Sequence, residues 1–245
     1  MSKPTVILVG ADKGGVGKTT VTRALLDYFL AHNIPTRAFD TESPRGTLKR
    51  FFPDITEVVD MTAVPDQMKI FDTLGPDGRV TVIDIRAGLL SGTLRSLREI
   101  GFIEATRKAQ ITFAVFHILG PSLTSLDEIA ETAGYAADGH YFLVKNFINN
   151  ASFFEWDPAT YQGYFRKIRN AVELTIPKLD EMACEQVELA SIPYFTFVSN
   201  RTARGEQAQY SFVLRGYVRH WLGQVWGEFD RIKLGDIVGV QARAA

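Results

Sequence analysis

Cysteine is almost missing from this sequence, since Cys184 is the only one among 245 residues. A single cysteine cannot form a disulfide within the chain, and it cannot supply the paired ligands of a cysteine-rich zinc or iron–sulfur site. Disulfide scaffolds and single-chain metal–thiolate proteins are therefore excluded, and a reducing compartment is favoured. We interpret Cys184 as an apolar core residue.

Net charge and long apolar runs are lacking as well. The formal net charge is −1, so any contact with a polyanion needs a local basic patch. No segment approaches the roughly 20 apolar residues of a membrane span, and the N-terminus lacks a signal-peptide pattern. The segment Ile232–Ala245 lacks the basic and apolar faces of a membrane-binding helix. We therefore expect a cytoplasmic protein without a direct membrane anchor.

Internal repeats and Ser/Gly-rich linkers are also absent, which predicts a single domain over residues 1–245. Short apolar runs alternate with stretches of helical period. This order predicts an α/β fold with a doubly wound, mainly parallel sheet and helices on both faces. The expected strands are Thr5–Val9, Thr36–Phe39, Val80–Ile85, Ile111–Leu119, Tyr141–Ile148 and Ile192–Val198. The expected helices are Thr19–His32, Leu94–Lys108, Ser122–Ala133, Phe165–Leu174 and Lys178–Leu189. A long C-terminal helix is expected at about 207–231, from Gln207 to Arg231.

The most specific motif follows the first strand, where residues 13–20 read Lys-Gly-Gly-Val-Gly-Lys-Thr-Thr. Glycine lets successive backbone N–H groups converge on a phosphate, and the helix that follows adds its positive N-terminal end. We expect Lys18 to reach the β- and γ-phosphates and Thr19 to bind Mg²⁺. A glycine-rich turn without a ligand is the alternative. The expected nucleotide-binding residues of the loop are Gly14, Gly15, Val16, Gly17, Lys18, Thr19 and Thr20.

Asp12 and Lys13 distinguish this loop from the usual Gly-x-x-x-x-Gly-Lys-Ser/Thr pattern, which has glycine at position 12. Lys-Gly-Gly-Val-Gly-Lys-Thr resembles the deviant Walker A motif of the ParA/MinD family, and the chain is nearest in character to its ParA and MipZ members. The resemblance implies a P-loop ATPase that uses ATP and Mg²⁺ as an ATP-dependent homodimer, with Lys13 reaching the partner's phosphates. A solvated loop lysine is the alternative. The iron–sulfur and nitrogenase-reductase branches need paired cysteines, which this chain lacks.

Two acidic segments follow later strands, and the resemblance gives them the roles of the family's switches. Asp40 matches the first acid of the first switch. Glu42 stands where a second aspartate positions the attacking water, and the longer side chain would slow hydrolysis. Asp84 ends a buried apolar run and needs a partner such as hydrated Mg²⁺. For Asp40 and Glu42 a turn with surface acids is the alternative. The implied catalytic residues are Lys13, Lys18, Asp40 and Glu42, and the implied metal ligands are Thr19, Asp84 and Asp40.

The base end of the site is expected near residues 143–146, Leu-Val-Lys-Asn. They resemble the family's late strand, whose asparagine, here Asn146, reads adenine, since an amide both donates and accepts hydrogen bonds. An ordinary strand-end cap is the alternative. Ser191-Ile192-Pro193 resembles the strand–proline segment that flanks the base, which places Pro193 in the cofactor site. The Asn-Lys-x-Asp motif of GTP-binding proteins does not occur, which favours ATP.

Basic side chains are scattered over the second half, and Arg215 and Arg219 share one face of the expected last helix. Partition ATPases of the family bind DNA non-specifically through such residues, and ordinary solvated charges are the alternative. The first hypothesis is a ParA-like switch ATPase, slow and stimulated by a protein partner, that positions or partitions DNA or another cargo. The others are a metabolic P-loop enzyme of the dethiobiotin-synthetase or amide-ligase type and a non-hydrolysing nucleotide-dependent adaptor.

Overall fold

The computed structural model describes residues 3–120, 123–136, 138–148, 153, 158–165 and 171–239. Within these residues the strands are β1 (Thr5–Gly10), β2 (Thr36–Asp40), β3 (Thr56–Val58), β4 (Val80–Asp84), β5 (Thr112–Leu119), β6 (His140–Asn146) and β7 (Ala171–Ile176). They form one sheet in the order β3-β2-β4-β1-β5-β6-β7. Every neighbouring pair is parallel. Parallel neighbours require crossover connections, and helices supply them.

The described helices lie between and after the strands. They are α1 (Lys18–Ala31), α2 (Val64–Phe71), α3 (Leu90–Glu99), α4 (Phe102–Arg107), α5 (Leu123–Ala136), α6 (Pro158–Phe165), α7 (Glu181–Ala190), α8 (Tyr194–Val198), α9 (Phe212–Arg231) and α10 (Leu234–Ile237).

Alternation along the central strand β1 divides the core into two layers. Val6 and Leu8 pack with α3, α4 and α5 on one face of the sheet. Ile7 and Val9 pack with α1, α7, α8 and α9 on the other. All four side chains have no exposed area, as expected for a strand covered on both faces. The predicted doubly wound α/β fold is therefore confirmed, and its carboxyl-end edge is where ligands bind in such sheets.

Gly101 interrupts what the sequence predicts as one helix over Leu94–Lys108. Its φ of 80° lies in the left-handed region, which ends a helix and suits glycine. The structure accordingly has two helices, α3 and α4, with Gly101 as the N-cap of the second.

Two other predicted elements are wrong in type. Part of the expected helix Phe165–Leu174 is the edge strand β7, whose buried residues Leu174 and Ile176 are two apart, the period of a strand; residues 166–170 lie outside the described residues. The expected last strand over Ile192–Val198 contains the helix α8 instead. Its first N–H, on Tyr194, donates to the buried carboxylate of Asp27 at 2.8 Å, which supplies the partner that a helix N-terminus needs.

The C-terminal helix is shorter than the predicted span of about 207–231. It begins at Phe212 because the hydroxyl of Ser211 accepts a hydrogen bond from the Leu214 N–H at 3.4 Å and caps it. The structure also contains β3, α2, α6 and α10, which the sequence did not predict.

Candidate functional site

Glycine at two left-handed positions shapes the loop between β1 and α1. Gly15 has a φ of 73° and Gly17 a φ of 83°, a region that other residues rarely adopt. A Cβ on Gly17 would also lie 2.2 Å from Nδ2 of Asn146, so position 17 requires glycine for two reasons. α1 begins directly afterwards at Lys18, which leaves its first backbone N–H groups available to an anion.

A cleft of about 380 Å³ opens over this loop. Side chains from the ends of three neighbouring strands meet there because the carboxyl ends of parallel strands share one edge of the sheet. The cleft is lined by Gly14, Gly15, Gly17, Lys18, Thr19, Thr20, Asp40, Glu42, Asp84, Ile85, Arg86 and Ala87. Val16, predicted in the same loop, is instead buried in the core below it.

Lys18, the first residue of α1, contacts the phosphate loop with its amine. Its Nζ donates to the backbone carbonyl of Lys13 at 3.1 Å. Burial lowers the pKa of the Lys18 amine, while the carboxylates of Asp84 and Glu42 act in the opposite direction. These carboxylates favour the charged amine, which is the form that attracts phosphate.

Thr19 and Asp84 meet at the floor of the cleft. The Thr19 hydroxyl donates to Oδ2 of Asp84 at 2.8 Å, while within the described part of the chain the buried Oδ1 of Asp84 has no hydrogen-bond partner. Burial raises the pKa of the Asp84 carboxyl to about 7, the Thr19 bond lowers it in part, and the Asp40 carboxylate raises it again. A buried carboxylate with a free oxygen carries a large desolvation cost, which a cation would remove.

This oxygen pair fits Mg²⁺ on chemical grounds. Magnesium prefers hard oxygen ligands, and in nucleotide sites it takes few groups from the protein, the rest coming from phosphates and water. Among the described residues there is no cluster of three or more His, Cys, Asp or Glu side chains that could hold a metal by themselves. Thr19 and Asp84 therefore match a metal shared with a bound polyphosphate rather than an all-protein cage.

Asp40 lies beside Asp84 across the β2–β4 ladder, but its oxygens already have partners. Oδ1 accepts from the Glu42 N–H at 2.9 Å, and Oδ2 accepts from the N–H groups of Leu48 and Lys49 at 2.6 and 3.3 Å. The buried carboxylate thus holds the turn that follows β2. Its role as a metal ligand or catalytic residue stays a prediction.

Glu42 and Arg86 border the cleft from the two segments that follow β2 and β4. Glu42 is half-buried, and its Oε2 accepts from the Thr47 hydroxyl at 2.5 Å. Arg86 is exposed. Both side chains therefore lie where they can meet a bound phosphate chain, and the water-positioning role of Glu42 stays a prediction.

Thr41 is a site residue that the sequence reading missed. Its buried hydroxyl donates to the Asp84 carbonyl at 3.0 Å and accepts from the Arg86 N–H at 2.7 Å. One side chain therefore connects the two acidic segments. Its position between Asp40 and Glu42 is the feature of the sequence that could have indicated this role.

Asp12 gives the phosphate loop a second anchor, in the position where the usual motif has glycine. Its carboxylate accepts from both the backbone N–H and the hydroxyl of Ser91, near the start of α3. Its own N–H donates to Glu128 at 3.3 Å. Lys13, the next residue, is half-buried and packs against Gly120, where an added Cβ would lie 2.9 Å from Lys13 Cδ. Its reach to a partner chain stays a prediction.

A second groove, of about 540 Å³, adjoins the cleft. Thr20 lines both spaces, so one ligand can occupy the two together. The groove combines an aromatic and proline surface with three carboxylates of α7. It is lined by Thr20, Asn146, Ile148, Pro177, Lys178, Leu179, Glu181, Met182, Cys184, Glu185, Glu188, Tyr194 and Trp221.

Asn146 lies between the groove and the loop, and its amide is engaged by the loop. Nδ2 donates to the carbonyls of Val16 and Gly17 at 3.0 and 3.3 Å, and Oδ1 accepts from the Ile148 N–H at 3.3 Å. The described contacts thus make Asn146 a support of the phosphate loop, and its reading of adenine stays a prediction.

Pro193 and Cys184 differ from what the sequence suggested. Pro193 is the N-cap of α8 rather than the end of a strand, and the proline that lines the groove is Pro177, directly after β7. Cys184 is half-buried and lines the groove, so its interpretation as a core residue is wrong.

Comparisons with known proteins give distant structural likenesses. No model of a known family matches the chain, and no curated protein matches it. A nucleotide-binding protein from Archaeoglobus fulgidus in complex with ADP is similar at 16% identity over 75% of this chain and 85% of its own, with a TM-score of 0.48. A ParA family ATPase from Chlorobium tepidum TLS is similar at 15% identity over 90% and 98%, with a TM-score of 0.47. At these values the function has to be argued from the site itself.

The two arginines predicted to contact DNA differ in exposure. Arg219 is exposed on α9. Arg215 is half-buried, and its Nη1 donates to the Val198 carbonyl at 3.5 Å. Of these two arginines, only Arg219 therefore presents its guanidinium freely to a polyanion.

Of the helices described, none has the length and apolar character that crossing a membrane requires. Residues 240–245 of the C-terminal segment lie outside the described residues.

Proposed function

We propose that this chain is an ATPase of ParA type that binds ATP with Mg²⁺ and works as an ATP-dependent homodimeric switch. The observation that supports this most is the Thr19–Asp84 pair beside the glycine-rich loop, in which a buried carboxylate oxygen has no hydrogen-bond partner among the residues that the structure describes. A carboxylate is tolerated there if a cation binds it. The adjoining loop offers the N–H groups and the lysine that hold the phosphates of the same ligand.

Different residues of the cleft bind the phosphates, bind Mg²⁺ and position the attacking water. The N–H groups of the loop and the amine of Lys18 hold the β- and γ-phosphates, and Thr19 and Asp84 hold Mg²⁺. When bound, Mg²⁺ supplies charge neutralisation to the phosphates. Glu42 orients the attacking water from the side of β2. Lys13 of each protomer adds a positive charge to the partner's phosphates, which offsets the repulsion between two facing polyphosphates.

The groove beside the phosphate cleft is the proposed place of the base. Trp221 and Pro177 line it and provide apolar contact for a ring. The carboxylates of α7 that also line it accept hydrogen bonds, which both adenine and guanine can donate, so they do not select between the two bases. The preference for ATP rests on the sequence, which lacks the Asn-Lys-x-Asp motif.

A non-hydrolysing, nucleotide-dependent adaptor is the second candidate, and one observation favours it. The acids that could act on the attacking water are engaged, since Asp40 accepts three backbone N–H groups and Glu42 accepts the Thr47 hydroxyl. An adaptor would bind ATP and dimerise but would not turn it over.

Light scattering and phosphate release together test the proposal. With ATP and Mg²⁺ the mass should double relative to the ADP form, and Lys13→Ala should remain monomeric while still binding ATP. Lys18→Ala should abolish nucleotide binding. A monomeric protein with ATP bound would contradict the switch, and a dimer without phosphate release, even with DNA and a cell extract, would identify the adaptor.

The proposed switch also binds DNA in its ATP-bound form, through Arg219 on α9. We expect DNA retention only with ATP, because the dimer then presents Arg219 twice, and a loss of retention with added salt. Arg219→Glu should weaken retention, and Arg215→Glu should reduce stability as well. Unchanged retention in Arg219→Glu would place DNA binding elsewhere.

A further inference from the structure

Arg23 is a cation buried in the helix that follows the phosphate loop. Its side chain is 3% exposed, and its guanidinium carbon lies 3.4 Å from the ring centroid of Phe51 and 4.1 Å from that of Tyr194. None of the described residues accepts a hydrogen bond from its Nε or Nη2. A guanidinium in such a place needs a counter-charge, and the aromatic faces supply only part of the compensation.

Glu188 provides that counter-charge and extends the contact to a third element. Its Oε1 pairs with Nη1 of Arg23, and its Oε2 pairs with Nη2 of Arg50. The guanidinium of Arg50 lies over the same Phe51 ring, 4.4 Å from its centroid. Phe51 is therefore covered by both arginines, and one carboxylate of α7 joins them.

The segment 42–52, which runs from Glu42 to Phe52, is thereby held at two points. At its start the Asp40 carboxylate accepts from the Glu42 N–H at 2.9 Å. Near its end Arg50 and Phe51 are held by Glu188 and Arg23. Glu188 is also a wall of the groove assigned to the base, so the two ends of the nucleotide site share this carboxylate.

We propose that Glu188 is a positioning residue: through Arg50 and Arg23 it fixes the segment 42–52 and so sets the place of Glu42 at the phosphate cleft. The proposal deepens the ATPase function above and rests on it for its catalytic consequence. Its structural part, the holding of the segment, is independent of any activity.

Arg50→Gln is the sharpest variant, because Glu188→Gln would leave buried Arg23 without its counter-charge and endanger the fold. Arg50 is 49% exposed and Glu188 42%, so removing this one pair should loosen the segment without unfolding the protein. Trypsin can report on the segment at Arg45 and Lys49, which are exposed. Arg95→Gln is the matched control, since it removes the ion pair to Glu131 between side chains 55% and 48% exposed, on α3 and α5 and away from the site.

Cleavage after Arg45 and Lys49 should be about fivefold faster in Arg50→Gln than in the wild type and unchanged in Arg95→Gln. In the same variant kcat for ATP should fall severalfold with KM nearly unchanged, as expected when an interaction needed for the transition state is lost. Arg50→Lys should restore part of both effects. Wild-type cleavage rates in Arg50→Gln, or a loss of kcat without faster cleavage, would overturn the proposal. A wild-type protein without ATP turnover would refute the ATPase function while the cleavage comparison still decided the positioning role.

Discussion

The hydroxyl of Thr41 donates a hydrogen bond to the backbone carbonyl of Asp84, 3.0 Å away. The same oxygen accepts from the Arg86 N–H at 2.7 Å. Thr41 is 3% exposed and stands between Asp40 and Glu42. This one side chain therefore joins the two segments that border the phosphate cleft, the one after β2 and the one after β4.

Thr41→Val should weaken the connection between the two segments, in which the Thr41 N–H still donates to the Asp84 carbonyl at 3.1 Å. Valine keeps the shape but leaves the Arg86 N–H and the Asp84 carbonyl without this partner, which should lower the free energy of unfolding by about 1–2 kcal/mol. We expect ATP hydrolysis to fall more than ATP affinity, since the loop and Lys18 are untouched. Urea unfolding, nucleotide titration and phosphate release measure the three quantities. Thr41→Ser keeps the hydroxyl and serves as the control; equal loss in both variants would contradict a hydrogen-bonding role.

Asn146→Ala separates the two roles considered for this side chain. If the amide supports the loop through Val16 and Gly17, its removal should weaken ATP and GTP binding by the same factor, roughly tenfold. A side chain that reads adenine would instead affect ATP alone. Titration of the variant with fluorescent analogues of both nucleotides decides between them, and a selective loss for ATP would restore the role predicted from the sequence.

The sequence predicts the parts of this site that are carried by contiguous residues. Residues 13–20 and Asp84 each adjoin a buried strand, so the local pattern and its place in the strand order were sufficient. Thr41, Arg23 and Glu188 could not be found in this way. Their roles depend on the register of β2 with β4 and on the packing of α1 against α8 and the segment 42–52, contacts between residues far apart in the chain.

The errors in secondary structure have a similar cause. The helix α8 depends on a tertiary contact, because the buried Asp27 accepts the hydrogen bond of its first N–H. The sequence near residue 194 gives no sign of this contact, since Asp27 is far away in the chain. The edge strand β7 is different, since the two-residue spacing of Leu174 and Ile176 was available in the sequence. The predicted helix Phe165–Leu174 overlooked that spacing.

Gly17→Ala should abolish nucleotide binding. The φ of 83° disfavours any residue with a Cβ, and the new carbon would collide with the Asn146 amide at 2.2 Å. The loop must then open or Asn146 must leave its two carbonyl partners. Isothermal titration with ATP and Mg²⁺ measures the loss.

Gly92→Ala is the control for that substitution. Gly92 lies inside α3 with nothing within 4 Å of an added Cβ, so alanine should raise the free energy of unfolding by about 0.5–1 kcal/mol and leave binding intact. Wild-type affinity in Gly17→Ala would contradict the role given to the loop geometry.

Asp27 should make the protein less stable as the pH rises from about 4 to 7. Burial raises the pKa of this carboxyl from 3.8 to about 7, against the opposing effect of the Arg23 guanidinium and the N–H groups of Phe195 and Tyr194. Between these values the folded state holds a proton that the unfolded state has released, so each increase in pH favours unfolding, and the penalty is complete above pH 7. Near pH 4 and below, the carboxyl is protonated in both states and the penalty disappears.

Asp27→Asn should remove this dependence, because the amide has no charge to bury and its oxygen can still accept from the Tyr194 N–H. The loss of unfolding free energy between pH 5 and pH 8 should be smaller than in the wild type by about 2–3 kcal/mol, measured by urea unfolding at both pH values. Asp54→Asn is the control, because it removes an exposed carboxyl. Its free energy of unfolding should change with pH as much as that of the wild type, since the other groups that titrate over this range are the same in both proteins. If the free energy of unfolding changed equally with pH in Asp27→Asn and the wild type, Asp27 would be ionised beside Arg23 over the whole range. The carboxylate of Asp27 would then be a fourth charged group in the contact formed by Arg23, Glu188 and Arg50.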